Sequence, residues 1–316
     1  MTVNEIVAVV ENLLASEAGR ERTEAVVQYL GRLVALQDDE TKPLPGINRR
    51  GGMEFFSTTG KLLKPKATLD VRIHGRLVGE VALKENGKRI FRPVKPWKGE
   101  WPKSVDVDWA DRRVLKFLAA RLQDLPKKEL EAKVQSALFG AMRQVKGPKK
   151  LKELRQNQPV QMLRQPFQFP LPISASGAIP EVAVAPALGH ADILARGRGG
   201  HRLKVFEIKR PRGDARHALA QGVAYAAALE RLLDMAPAVT YRALGYSKAR
   251  KASPKLEVWA FVHADDVDNV LAGGNALQAA NSHFDLHLLP YRFEGGQRLA
   301  LEEPIAVGKS QRQGRG

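Results

Sequence analysis

The chain has 316 residues, no cysteine, and 51 lysine and arginine residues against 34 aspartate and glutamate residues, a formal net charge of +17. Without cysteine it has no disulfide, no cysteine-bound zinc and no iron–sulfur cluster, and its charge favours an anionic partner such as nucleic acid. No run of about 20 apolar residues is present, and Glu5 and Glu11 lie where a signal peptide would be basic and then apolar, so we expect a cytoplasmic protein with no membrane partner.

The first third of the chain predicts a small α+β domain over residues 1–112. Apolar residues at helical spacing predict helices at 3–14 and 21–36, which either cover a sheet or form a docking or dimerisation element. Residues 68–93 have the pattern of strands, with Asn86-Gly87 as a hairpin turn. No catalytic constellation occurs here, so this domain is expected to recognise rather than to react.

Two basic segments are candidates for nucleic-acid binding. In the loop at 91–103, Trp97 and Trp101 alternate with cationic residues, so the rings could stack on bases or could simply anchor the loop to the core. A second basic stretch, at 146–152, includes Lys149 and Lys150 and is either a contact to a nucleic-acid backbone or a solvated loop.

The most informative segment is a predicted β-hairpin around Gly199-Gly200. If these two glycines form the loop, Asp192 lies opposite Glu207, with Cβ atoms about 5 Å apart. Lys209 projects from the same face, because side chains alternate along a strand. The flanking residues of both strands are apolar, so the charges are expected at a covered end of the sheet, where two carboxylates favour a hard divalent cation. An exposed, solvated Glu–Lys pair is the alternative.

A helix is predicted after this hairpin, at 215–234, with Asp214 as its N-cap. Gln221 and Tyr225 lie four residues apart and therefore share one face of this helix.

Together these residues resemble the PD-(D/E)XK nuclease superfamily, particularly its RecB-like branch, in which an acid opposes a strand ending in E-x-K and a helix carrying Q-x-x-x-Y follows. The resemblance implies that Asp192, Glu207 and the carbonyl of Ile208 bind Mg²⁺ or Mn²⁺. It implies that Lys209 orients the attacking water or stabilises charge on the phosphate, and that Gln221 helps to position it. The residue that matches Tyr225 contacts nucleic acid or serves in packing.

The family also has an acidic residue on a helix before the sheet. Apolar residues at helical spacing predict a helix at 127–145, with Glu131 at the edge of its buried stripe. Glu131 is therefore the candidate third carboxylate, and the alternative is that it complements the helix dipole.

These elements predict an α/β fold in which a restriction-endonuclease-like αβββαβ core with a mixed sheet follows the smaller domain. The order is helix 127–145, a strand within 161–173, the hairpin, helix 215–234 and strand 256–263, followed by a helix from 265 and a strand at 286–291. The nuclease-like domain is expected at 113–305, with a flexible basic tail at 306–316.

The expected function is Mg²⁺-dependent hydrolysis of phosphodiester bonds, with DNA favoured over RNA, in phage defence or mobile-element control. Activity is expected to be gated by a homo-oligomer or a regulatory protein partner. The alternatives are a nucleic-acid-binding scaffold subunit that does not cut, and a basic RNA-associated module with an accidental motif.

Overall fold

The structure of the chain, a computed structural model, describes most but not all of the sequence. The described residues are 1–38, 53–57, 68–73, 76–84, 86, 88–94, 107–124, 134–135, 138, 158–159, 168–177, 182–197, 201–211, 215–246, 253–278, 283–294 and 298–308.

In this part of the chain the helices are α1 (Val3–Ala15), α2 (Glu17–Asp38), α3 (Arg112–Asp124), α4 (Ala218–Met235), α5 (Pro237–Ala243) and α6 (Val267–Gln278). The strands are β1 (Met53–Ser57), β2 (Thr68–Ile73), β3 (Arg76–Leu83), β4 (Arg89–Pro93), β5 (Val107–Asp108), β6 (Gln158–Pro159), β7 (Phe169–Leu171), β8 (Ser174–Gly177), β9 (Val182–Ala185), β10 (Gly189–Ala191), β11 (Ile193–Arg196), β12 (Arg202–Ile208), β13 (Lys255–His263), β14 (Asp285–Glu294), β15 (Arg298–Leu301) and β16 (Ile305–Ala306).

The first five strands form an antiparallel sheet in chain order, β1 to β5. The predicted hairpin is confirmed, because Leu83 pairs with Arg89 and the register is therefore centred on Asn86. This sheet and α3 share a core of their own, which includes Val81, Phe91 and residues of α3.

A larger mixed sheet has the order β15-β14-β13-β12-β11-β6, with β16 paired to β14. Strands β12, β13 and β14 are parallel, whereas β11 and β15 run antiparallel to their neighbours. Helix α4 connects β12 to β13 and α6 connects β13 to β14, as parallel neighbours require a crossover. The mixed α/β class is therefore confirmed.

Both faces of this sheet are covered, which explains why its central strands are almost continuously apolar. One face, with Val205 and Val258, packs against α4. The opposite face, with Phe206 and Phe261, packs against Val134 and other apolar side chains.

Helices α1 and α2 belong to the same core as α4. Val3, Ile6 and Val10 of α1 are fully buried there, and α2 packs along α5. These helices thus cover the layer of α4 and α5. The domain boundaries 1–112 and 113–305 stay a prediction. The cores do not follow these boundaries, because α1 and α2 share a core with the larger sheet and α3 shares one with the smaller sheet.

Two predicted elements differ from the structure. The strand expected within 161–173 is β7, which pairs with β10 outside the larger sheet, while β6 lies beside β11. Pro170 and Pro172 lack an N–H, so this segment cannot pair fully on both edges. The helix expected from residue 215 begins at Ala218, with His217 as its N-cap. None of the described helices is long and apolar enough to cross a membrane.

Helix α4 lies close to the sheet because it carries glycine where the two meet. A Cβ added to Gly222 would lie 2.6 Å from Cγ1 of Val258 and 3.8 Å from Cβ of Glu207. Val258 is branched at Cβ and cannot easily turn away. The absence of a Cβ at position 222 therefore allows α4 to lie close to β13, with β12 beside it.

We expect Gly222→Ala to lower the free energy of unfolding by roughly 1 kcal/mol or more, because the clash outweighs the gain of about 1 kcal/mol in helix propensity. Chemical denaturation measures the difference.

Gly31→Ala in α2 is the matched control, since its Cβ would meet Val239 at an ordinary 3.8 Å. It should be neutral or stabilising. Combining Gly222→Ala with Val258→Ala should remove most of the clash, and a penalty that persists in that background would contradict the packing explanation.

Candidate metal and phosphodiester site

The hairpin of β11 and β12 has the register that the sequence predicts. Ile193 pairs with Phe206 and Arg196 pairs with Leu203, and beyond them the N–H of Gly197 donates to the carbonyl of Arg202 at 2.9 Å. Gly199 and Gly200 lie outside the described residues. The register continues towards Asp192 and Glu207, but the chain bends at Asp192, which therefore lies beside the end of β12 rather than in a ladder pair.

Asp192 is buried, with 5% of its surface exposed, and has several polar neighbours. The N–H of Ile208 donates to its Oδ2 at 2.9 Å, and the amide of Gln168 donates to its Oδ1 at 3.4 Å. Nε2 of His190 lies 3.8 Å from the same Oδ1. The side-chain amide of Gln135 donates to the backbone carbonyl of Asp192. These contacts fix both the backbone and the carboxylate of Asp192.

Glu207 and Lys209 form an ion pair at the carboxyl end of β12. Nζ of Lys209 lies 2.8 Å from Oε1 of Glu207, and both side chains are largely buried. The attraction is therefore only weakly screened by water. The structure brings Asp192, Glu207 and Lys209 to the same end of the hairpin.

The backbone of Lys209 is held by the two neighbouring parallel strands. Its N–H donates to the carbonyl of Phe261 at 2.9 Å, and its carbonyl accepts from the hydroxyl of Tyr291 at 2.8 Å. Tyr291 is fully buried and its ring stacks on Phe261 at 4.5 Å. These contacts fix the backbone position from which the side chain of Lys209 projects.

Helix α4 supplies Gln221 and Tyr225 on the face next to Gly222. The side chain of Gln221 is buried, and its Oε1 has no hydrogen-bond partner among the described residues. The hydroxyl of Tyr225 donates to the carbonyl of Ala175 at 3.2 Å and accepts from its N–H at 3.3 Å. Tyr225 therefore links α4 to β8, which is a packing contact.

Burial raises the pKa of the Asp192 carboxyl to about 6, although the N–H of Ile208, the charge of Lys209 and the amide of Gln168 act in the opposite direction. Burial also raises the pKa of the Tyr225 hydroxyl, and the negative charges of Glu207 and Asp192 add to this effect. Negative charge in this site is thus compensated incompletely by the described residues.

Several predicted site residues lie outside the described residues, so nothing is observed of their positions: Glu131, Trp97, Trp101, Lys149 and Lys150. Within the part of the chain that is described, no group of three or more His, Cys, Asp or Glu side chains is arranged to hold a metal ion. Two buried carboxylates at one end of the hairpin are the type of ligand that a hard divalent cation prefers. A cation next to Asp192 would offset part of the cost of burying its charge.

Sequence reasoning missed three polar neighbours of Asp192, namely Gln135, Gln168 and His190. Gln135 gave a usable signal, since it is a polar residue inside the apolar stripe of the predicted helix. His190 lies two residues before Asp192, which places it near the same edge. Gln168 gave none, because its contact depends on the fold of a proline-rich segment.

A second buried acid on the same sheet shows how a structural carboxylate differs from Asp192. Glu257 of β13 is 3% exposed and accepts hydrogen bonds from Arg202 and from the indole of Trp259, with Lys204 at 3.5 Å. Burial alone would raise the pKa of Glu257, but these three partners together lower it. All of its charge is compensated within the chain.

Comparisons of the chain with family models, with characterised proteins and with solved structures each find no match.

We expect Asp192→Asn to stabilise the metal-free protein more at pH 8 than at pH 4. A carboxyl whose pKa is about 6 in the folded state and about 3.9 in the unfolded chain gives stability that is lost as the pH rises from 4 to 6. The loss approaches roughly 3 kcal/mol for a shift of this size. Urea unfolding of wild type and Asp192→Asn at each pH, with a chelator present, measures the difference in the free energy of unfolding.

The control is Asp111→Asn, because hydrogen bonds from Arg113 lower the pKa of Asp111 to about 2. That carboxylate gives stability above its unfolded pKa, which is lost only as the pH falls through about 2. Its effect should be constant between pH 5 and pH 8. An equally constant effect of Asp192→Asn over that range and down to pH 4 would show that Asp192 has an ordinary pKa.

Proposed function

We propose that this protein is a metal-dependent nuclease that hydrolyses phosphodiester bonds, with DNA favoured over RNA. The observation that carries the proposal is the convergence of Asp192, Glu207 and Lys209 at the covered end of the β11–β12 hairpin. Gln221 of α4 directly precedes Gly222, which packs against Glu207. The order of hairpin, crossover helix and parallel strand is also what the resemblance to a restriction-endonuclease-like core implies.

Mg²⁺ or Mn²⁺ would be held by Asp192, Glu207 and the carbonyl of Ile208, with Glu131 as a third carboxylate, and would lower the pKa of bound water and neutralise charge on the phosphate. Gln135 supports the inclusion of Glu131. It contacts the backbone of Asp192 and follows Glu131 by four residues, which is about one turn of the predicted helix.

The chain's own residues supply orientation and charge. The ion pair with Glu207 holds the ammonium of Lys209 at the site before substrate binds, and the ammonium then stabilises negative charge that develops on the phosphate. Phe261 and Tyr291 fix the backbone of Lys209, so little reorganisation is needed. Gln221 offers a buried polar group beside these charges.

The net charge of +17 supports a polyanionic substrate. The stacking of bases on Trp97 and Trp101, backbone contacts of Lys149 and Lys150, and gating by a second copy or a regulatory protein belong to the same proposal. So does a role in phage defence or mobile-element control.

The second candidate is a nucleic-acid-binding scaffold that does not cut. The direct Lys209–Glu207 ion pair favours it, because a carboxylate already compensated by lysine has less need of a cation.

Cleavage of labelled duplex DNA, single-stranded DNA and RNA, with Mg²⁺, Mn²⁺ or chelator, tests the proposal. Wild type should cut only with metal. Glu207→Gln should lower the rate by about 100-fold or more, because it removes a carboxylate that would hold the metal ion and the ion pair that positions Lys209. Binding measured in chelator should change little.

Glu294→Gln is the matched control, since Glu294 is exposed at the end of β14, and it should retain full activity. Binding of nucleic acid without cleavage under either metal would select the scaffold. Failure to bind any of the three substrates would reject both candidates.

A further inference from the structure

The beginning of α4 has the features of an anion site. The N–H groups in the first turn of a helix carry partial positive charge and attract phosphate or carboxylate groups. Among the described residues the N–H of Ala218 donates to the carbonyl of Ala215 at 3.0 Å, and the first turn contains no acidic residue. His217 occupies the N-cap position without forming a capping hydrogen bond.

His217 itself points to a missing partner. The residue is more than nine-tenths buried, and its Nε2 has no hydrogen-bond partner among the described residues. Gln221, four residues later on the same face, has an unpartnered buried Oε1. A buried polar group without a partner destabilises a fold, so two of them on successive turns need an explanation.

Among the described residues between β12 and α4, the exposed charged side chains are positive. Arg216 directly precedes His217, and Arg210 lies where the chain leaves β12 towards α4; both are exposed, and neither forms an ion pair with another described residue. Lys209, the predicted catalytic cation, directly precedes Arg210. An anion that approaches the N-terminus of α4 would meet these cations first.

Gln221 and His217 indicate how far the N-terminus of α4 lies from the carboxylates of the candidate site. Gln221 is the neighbour of Gly222, which packs against Glu207, and His217 lies one helical turn, about 6 Å, before Gln221. A group bound at His217 would thus lie beside the carboxylates but not among them.

We propose that the N-terminus of α4 binds a backbone phosphate of the substrate strand, next to the phosphate that is cleaved, with Nε2 of His217 as a hydrogen-bond donor. The inference rests on the proposed function for its ligand, a nucleic-acid strand, but not on cleavage. His217 is then a substrate-binding residue, and the partner that Nε2 lacks arrives with the substrate.

The test combines a variant of His217 with a modified substrate. A short DNA duplex binds in chelator while single phosphates are replaced, one at a time, by uncharged methylphosphonate. In wild type one replacement near the cleavage position should weaken binding about tenfold, the value of a hydrogen bond to a charged group. In His217→Leu the same replacement should have almost no effect, because the contact is already lost.

Stability gives a second, independent readout. Leucine fills the buried space without a polar atom, so His217→Leu should melt at the same temperature as wild type or higher. If His217 had a structural role, the same substitution would lower the melting temperature. His217→Ala repeats the substrate comparison if leucine does not fit.

His283→Ala is the control variant. His283 pairs with Glu230 at 2.7 Å, and Glu230 lies about 20 Å further along α4. This variant should show the full wild-type pattern with the modified duplexes.

Competition with inorganic phosphate distinguishes a strand phosphate from a free one. The proposal is overturned if His217→Leu relieves the inhibition of duplex binding by inorganic phosphate but responds to each methylphosphonate as wild type does. It is overturned as well if the variant responds as wild type does and is less stable than wild type. It is also overturned if wild type binds no duplex. If wild type binds the duplex without cutting it, but one methylphosphonate weakens its binding and not that of His217→Leu, the nuclease proposal is rejected and the phosphate site is retained.

Discussion

The register between β11 and β12 is the constraint on which the candidate site depends. Because side chains alternate along a strand, a slip of one residue would move Glu207 and Lys209 to the opposite face and bring Phe206 and Ile208 towards α4. The two cores of the sheet prevent this slip, since each face offers space only for its own set of apolar residues. Hydrophobic packing thus determines where the charged groups of the hairpin lie.

The two buried acids of this sheet illustrate different uses of a carboxylate. Glu257 is surrounded by donors and cations of its own chain, so its burial adds to a network that is complete. Asp192 has fewer positive neighbours and a raised pKa, so its burial leaves a cost that the folded chain does not offset. Perturbed groups of the second kind concentrate at functional sites, whereas those of the first kind are common in ordinary cores.

The sequence was sufficient for features that depend on neighbours along the chain. Two glycines between two apolar segments located the hairpin and its register, and helical spacing placed Gln221 and Tyr225 on one face of α4. It was insufficient where distant segments meet. The start of α4 at Ala218 rather than 215 and the pairing of β7 with β10 depend on tertiary packing, which overrides local propensity. The contact of Gln135 with Asp192 joins segments that are far apart in the chain, so the position of Gln135 in an apolar stripe signals a buried partner but does not identify it.

The packing of α1 on α4 has a consequence for how the protein is made. Translation proceeds at roughly 5–20 residues per second, so α1 waits on the order of 10–40 seconds for a partner that is synthesised about 200 residues later. During this time α1 can contact α2, which directly follows it, but the surface of α4 against which α1 also packs has not yet been synthesised. The contact also raises the average sequence separation of native contacts, which slows folding. Part of the apolar stripe of α1 therefore stays exposed while the middle of the chain is made, and this core closes only when α4 has left the ribosome.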